Sequence, residues 1–427
     1  MTSTPFSITT LADGTHMILA PRHETEAVTL LVLFGVGSRY EQKQVNGISH
    51  FLEHLMFKGT KRRPNTLDIA RELDGVGAEY NAFTAKDHTG YYIKVDARHL
   101  DMAIDIMSDI LNNSIFDPVE IERERHVIVE EINMYEDNPI MYMDDLFELT
   151  LFGTHPLGRL ISGPRETVLK IKRPHIVNYR KTYYKPANTA IVLSGRFPEK
   201  NMVKKISRAF IKNKARGTGP KYPAFKKYYG TPRVSFLKRK TEQVQLALGF
   251  PGPAIDDKAI YPIMLLTTIL GGNMSSRLFI KIRERLGLCY FIKADQGPYQ
   301  DAGSISIRAG LARTKIDQAI SHIWEELEKI ITKPVTASEL YRAKEFLSGK
   351  LMLSLEDSEA VANWLGKQYL LAGKLESAEQ KLKKLKAVSR EDILTYARRY
   401  IKKKNMALAI IGPDGSKKHY QNLIDRL

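Results

Sequence analysis

Cysteine is almost absent: Cys289 is the only one in 427 residues. A lone thiol excludes an intramolecular disulfide framework and any cysteine-based zinc site, which leaves histidine and carboxylates as candidate metal ligands. Long apolar runs are absent too. No stretch reaches the roughly 18 uncharged residues that a membrane span needs, and the opening MTSTPFSITTLADGTHMILA lacks a charged leader followed by an apolar run. The expectation is a cytoplasmic chain with no membrane partner. Acidic residues are in deficit, 48 against 65 Lys and Arg, for a net charge of +17. The excess gathers in Lys204-Lys205, in the stretch from Lys212 to Lys227 and in KLKKLK at 381–386. No nucleic-acid-binding signature accompanies it, so it reads as solvated surface, with no specific nucleic acid expected.

A hydrophobic content of 43% over this length points to at least two globular domains. The two halves repeat one another. TEAVTLLVLFGVGSRYE starts at Thr25 and TEQVQLALGFPGPAIDD at Thr241, an offset of 216 (241 − 25), and the same offset relates Ala103 to Ala319 and Pro118-Val119 to Pro334-Val335. Each copy opens with a β-branched apolar run. A helical stretch follows, then alternating residues (TGYYIKVD, GSISIRAG), then amphipathic helices. The expected class is α+β: two homologous domains from internal duplication, each a mainly antiparallel sheet packed with helices. Their expected spans are 1–212 and 241–427. The Pro-, Gly- and Lys-rich segment 213–240 is the linker between them, with a strand-like run resuming near Val234.

GISHFLEHLMF reads as a helix capped by Asn46, with Ile48, Phe51, Leu52, Leu55 and Met56 on one face and His50, Glu53 and His54 on the other. Imidazoles at i and i+4 approach one ion from the same side, and His-x-x-Glu-His is a recognised zinc signature in inverted order. Two histidines leave a zinc ion short of protein ligands. In IERERHVIVEEINMY the apolar stripe is Ile121, Ile128, Ile132 and Tyr135. Glu124 and Glu131 border it while Glu130 points away, and Glu131 is the better third ligand. Glu124 is either a second carboxylate orienting the site or a surface charge paired with Arg123 or Arg125. The duplication supplies an internal control: the positions 216 beyond His50, Glu53, His54 and Glu131 are Leu266, Ile269, Leu270 and Leu347, all apolar. One Zn2+ per chain is expected, although a His2Glu set also suits other divalent ions.

GISHFLEHLMFKGT, the double-glutamate helix, NAFTAKDHTGYY from Asn81 and LGGNMSSRLFIKIRERLGLCY ending at Tyr290 together resemble the pitrilysin/insulinase family of zinc peptidases, in its mitochondrial-processing-peptidase-like branch. The likeness spans nearly the whole chain. It implies peptide-bond hydrolysis, with Glu53 taking the proton from the attacking water. It also implies that Arg283 and Tyr290 bind the substrate carbonyl and stabilise the oxyanion, although alone they read as a surface cation and a core aromatic. Asn81, Ala82, Phe83 and Thr84 resemble an edge strand to which an extended peptide adds, and Gly271-Gly272-Asn273 a glycine-rich loop. A clamshell of four such domains implies a homodimer acting on peptides or unfolded polypeptide. The alternatives are a catalytically silent assembly subunit, a peptidase requiring a non-identical subunit, and a basic nucleic-acid-binding protein.

Overall fold

The structure, a computed structural model, describes residues 5–211, 217, 219–226 and 233–427. Parts of the expected linker therefore lie outside the described residues. The chain forms two compact units: Met1–Ile132 with Leu160–Pro223 and Leu351–Glu379, and Asn133–Arg159 with Ala224–Lys350 and Gln380–Leu427. These discontinuous units and the contiguous duplicated spans 1–212 and 241–427 are different divisions of the chain.

The first unit is built on β1 (Ser7–Thr10), β2 (His16–Pro21), β3 (Ala27–Phe34), β4 (Glu79–Thr84), β5 (Thr89–Asp96) and β6 (Thr189–Gly195), in the order β1-β2-β6-β3-β5-β4. Every pairing is antiparallel except β2 with β6. β3 has no polar alternation because both its faces are covered. Val28, Leu30, Val32 and Phe34 join a core with α1 (Ile48–Leu55), α2 (Thr66–Asp74), α3 (Leu100–Asn113) and α4 (Pro118–Asp137). Leu31 and Leu33 pack with Val361, Ala362 and Leu365 on the other face. Those three belong to the helix Ser358–Ala372, capped by Asp357. Gly366 lets that helix lie close, since a Cβ there would come 2.4 Å from Leu33 Cδ1.

The second unit repeats the plan with β7 (Arg233–Lys238), β8 (Gln243–Pro251), β9 (Cys289–Pro298), β10 (Gly303–Ala312) and β11 (Ala407–Gly412) in the order β7-β11-β8-β10-β9. Again a single parallel pair, β7 with β11, sits in an antiparallel sheet. One face packs on α5 (Pro139–Phe152) through Met143, Leu146, Phe147 and Leu151. Each unit thus takes one covering helix from the other half of the sequence. The expected α+β duplication is present. The strand-like run expected near Val234 is β7, so the span 213–240 includes a strand of the second unit as well as connecting chain. No helix among the described residues is long and apolar enough to cross a membrane.

Candidate metal centre

The metal-site helix is α1. Its apolar face is buried as the periodicity requires: Ile48, Phe51, Leu52, Leu55 and Met56 all lie in the core of the first unit. The cap differs from expectation. Gly47, at φ 100°, precedes the helix, and a Cβ there would come 2.3 Å from Ser162 O. Asn46 donates from Nδ2 to Glu41 Oε2 at 2.7 Å and to Leu160 O at 3.0 Å instead of capping. The orphan helix N–H groups go to Glu41, whose carboxylate accepts from Gly47 N at 2.7 Å and Ser49 N at 2.8 Å. Tyr179 holds the same turn, its hydroxyl 2.7 Å from Ser49 Oγ.

This anchoring aims His50 and His54 at α4. Their Nε2 atoms lie 3.2 Å apart, and Glu131 Oε2 is 3.6 Å from His50 Nε2 and 3.5 Å from His54 Nε2. The three residues are the one group of metal-ligating side chains that converges among the described residues. Ligands placed tetrahedrally at about 2.0–2.2 Å from zinc are about 3.3–3.6 Å apart, so the donor triangle fits that ion in size and chemistry. His50 offers Nε2 to the triangle, while its buried Nδ1 has no partner among the described residues.

Glu124 is buried and lies 3.1 Å from His54 Nδ1, and Lys58 Nζ lies 2.6 Å from its other oxygen. Burial alone would raise its carboxyl, but the His54 and Lys58 interactions hold it below the usual range. An ionised Glu124 can only accept, so His54 donates from Nδ1 and keeps Nε2 for a ligand. The alternative pairing is overturned: Arg123 pairs with Glu120 and Arg125 with Glu122, one turn along α4.

Without metal the two histidines differ sharply. Burial and the neighbouring His54 push His50 down to about 4. For His54 burial acts downward too, but bonds to Glu124 and Glu131 push it up to about 9. Burial raises the Glu53 carboxyl above its ordinary value, against a hydrogen bond from Thr84 and the charge of His54. Thr84 Oγ1 donates that bond to Glu53 Oε2 at 2.6 Å.

β4, carrying Asn81, Ala82, Phe83 and Thr84, is the outer strand of its sheet. Ala82 packs against the core that includes α1, and Phe83 against the cluster on the opposite face. Ala82 N donates to Asn81 Oδ1 at 2.8 Å. Arg283 and Tyr290 belong to the second unit. Arg283 sits in a π-helical segment, Phe279–Arg285, its guanidinium 4.7 Å from the Phe279 ring centroid. Tyr290, in β9, is 74% exposed and so is not the core aromatic that its sequence context suggested. The apolar twins Leu266, Ile269 and Leu270 are buried in that unit.

Sequence reasoning missed Glu41, Lys58 and Tyr179, and the bond from Thr84 to Glu53. Glu41 stands six residues before Gly47, outside any capping-box spacing, and the others depend on tertiary approach.

Comparison with known proteins assigns residues 16–165 to the family described as Insulinase (Peptidase family M16) and residues 170–347 to Peptidase M16 inactive domain. An uncharacterized zinc protease of Bacillus subtilis is 36% identical over 95% of this chain and 98% of its own length. Another from Streptomyces coelicolor is 34% identical over 95% of this chain and 89% of its own. The crystal structure of a protease from Helicobacter pylori superposes with a TM-score of 0.90 at 23% identity, covering 96% of this chain and 100% of that one.

Proposed function

The chain belongs to the insulinase family, peptidase family M16, and we propose that it is a zinc-dependent endopeptidase hydrolysing peptides or unfolded polypeptide segments. The observation that carries this reading is the convergence of His50, His54 and Glu131 beside a half-buried Glu53. The apolar twins in the second unit and the relatives named as zinc proteases point the same way.

His50, His54 and Glu131 would hold one zinc ion per chain. When bound, zinc supplies the Lewis acidity that makes water nucleophilic near neutral pH and polarises a carbonyl. Glu53 is the general base, taking the proton from the attacking water and passing it to the leaving amine. A carboxyl raised by burial suits a group that must both accept and return that proton. Glu124 orients His54. The peptide lies along β4 as an added strand, so recognition needs extended chain. Arg283 and Tyr290 serve the substrate carbonyl and the oxyanion.

We further assign the chain to the mitochondrial-processing-peptidase-like branch, on its length and paired motif sets, and to a cytoplasmic homodimer. We take 1–212 and 241–427 as the duplicated modules and 213–240 as their linker. The test is metal content with cleavage of a quenched fluorescent peptide library. Wild type should carry about one zinc and lose cleavage with chelator, and His50→Ala should lose both. Glu53→Gln should keep zinc and lose turnover. A Glu53→Gln enzyme with wild-type turnover, or a wild type without metal or cleavage after zinc is added, would overturn the reading.

A further inference from the structure

Glu53 carries a long side chain, and its position on α1 does not by itself say which carboxylate oxygen faces a reacting water. Thr84 supplies that constraint. Its hydroxyl lies 2.6 Å from Glu53 Oε2, within the 2.5–2.7 Å typical of a hydroxyl bound to an ionised carboxylate. This leaves Oε1 as the oxygen not engaged by Thr84.

Thr84 is itself held from two sides. It ends β4, and the turn that follows closes with Ala85 N donating to His88 O at 2.8 Å. The loop after β3 grips that turn: Ser38 N donates to Ala85 O at 3.1 Å, Arg39 N to Lys86 O at 2.9 Å, and Thr89 Oγ1 to Val36 O at 2.8 Å. The contact is so close that a Cβ on Gly37 would lie 2.1 Å from Ala85 O. The backbone beneath Thr84 therefore has little room to shift.

The register adds a second role. β4 pairs with β5 through Phe83 with Gly90 and Asn81 with Tyr92. With the Ala85–His88 bond closing the turn, antiparallel alternation makes these the hydrogen-bonded pairs, so the N–H and C=O groups of Ala82 and Thr84 turn away from β5. The one residue thus presents its backbone at the strand edge and its hydroxyl to the base.

We infer that Thr84 is a positioning residue for Glu53, its hydroxyl fixing Oε2 so that Oε1 is the atom that takes the water's proton, while its backbone lies on the edge where the peptide adds. This rests on Glu53 being the base. It makes the orientation of the base depend on the same strand that receives substrate.

The experiment measures kcat and KM on a quenched fluorescent peptide, with zinc content, for Thr84→Val, Thr84→Ser and Thr84→Ala. Thr84→Val keeps the shape and removes the hydroxyl. It should lower kcat by about 10- to 100-fold, the range for a hydrogen bond to a charged group, with KM within about twofold and zinc retained. Thr84→Ser should stay within about threefold of wild type. If Thr84→Val does not fold, the Ser and Ala variants, which differ only in the hydroxyl, carry the comparison. Wild-type kcat without the hydroxyl, or equal losses in Ser and Ala, would overturn the inference. Glu53→Gln runs alongside: if it is inactive while Thr84→Val is fully active, only the role of Thr84 fails, whereas an active Glu53→Gln removes the premise.

Discussion

His54 is held by a carboxylate that is itself held by a lysine, so the ligand's direction depends on two residues that never reach the metal. Groups of this kind commonly contribute 10- to 100-fold in metal affinity. Glu124→Gln should therefore keep the fold and weaken zinc binding by about that factor, in competition with a chelating dye, because an amide accepts more weakly from Nδ1 and frees the Lys58 ammonium. Lys58→Met should act in the same direction and less strongly. Unchanged affinity in Glu124→Gln would mean that packing alone fixes the His54 ring. The ligands themselves were legible from spacing, since i and i+4 on α1 and seven residues on α4 put like groups on one face. The polarity of Glu124 was legible too, but not its partner: Arg123 and Arg125 are its sequence neighbours, while Lys58 and His54 reach it only once α1 and α4 pack. Glu41 was hidden for the same reason, as a carboxylate that caps a helix from outside the usual spacing.

At the scale of elements, the site rests on a sheet with helices on both faces, and the apolar run of β3 announced that burial. Which helix covers the second face was not legible, because an amphipathic pattern in 358–372 says that a helix must pack but not against which sheet. Gly366 marks the contact. A larger side chain there meets Leu33 and Val192, both buried, so Gly366→Val should destabilise the first unit by about 1–3 kcal/mol through overpacking. A lower urea midpoint by circular dichroism would register it, and an unchanged midpoint would mean that the helix can lift without cost. A second device is the cluster in which Arg63 bonds Asp105, Asp109 and Glu72, while Thr60 donates to Asp109. Asp109 is almost wholly buried, so Arg63→Met leaves a buried charge with only hydroxyl and amide partners. The expected loss is about 3–5 kcal/mol, and Arg63→Met with Asp109→Leu should recover part of it. Recovery of nothing would place the cost in Arg63's other contacts.

For the whole molecule, the acid side of the stability curve follows from carboxylates held low in the folded state. Arg62 and Arg63 hold Asp105 at about 2, and Arg277 with Thr336 holds Glu339 at about 2 against burial, which acts upward. Unfolded carboxylates titrate near 4, so these groups contribute fully above that pH, and their contribution is lost as pH falls from about 4 through 2. With chelator present, so that metal loss is not counted, the urea midpoint should fall most steeply below pH 4. Assembly makes the last prediction. The proposed zinc set lies in the first duplicated copy and Arg283 with Tyr290 in the second, so a homodimer allows either chain to supply the second pair to a given site. If the partner supplies it, Glu53→Gln and Tyr290→Phe subunits are each inactive as homodimers. A mixed dimer then holds one site with both lesions and one with neither. Random mixing at equal amounts makes half the dimers mixed, each with one of its two sites intact, so activity should recover to about a quarter of wild type per chain. Two inactive parents that give only inactive mixtures, after exchange of subunits is demonstrated, would place the zinc set and the Arg283/Tyr290 pair of each site within one chain.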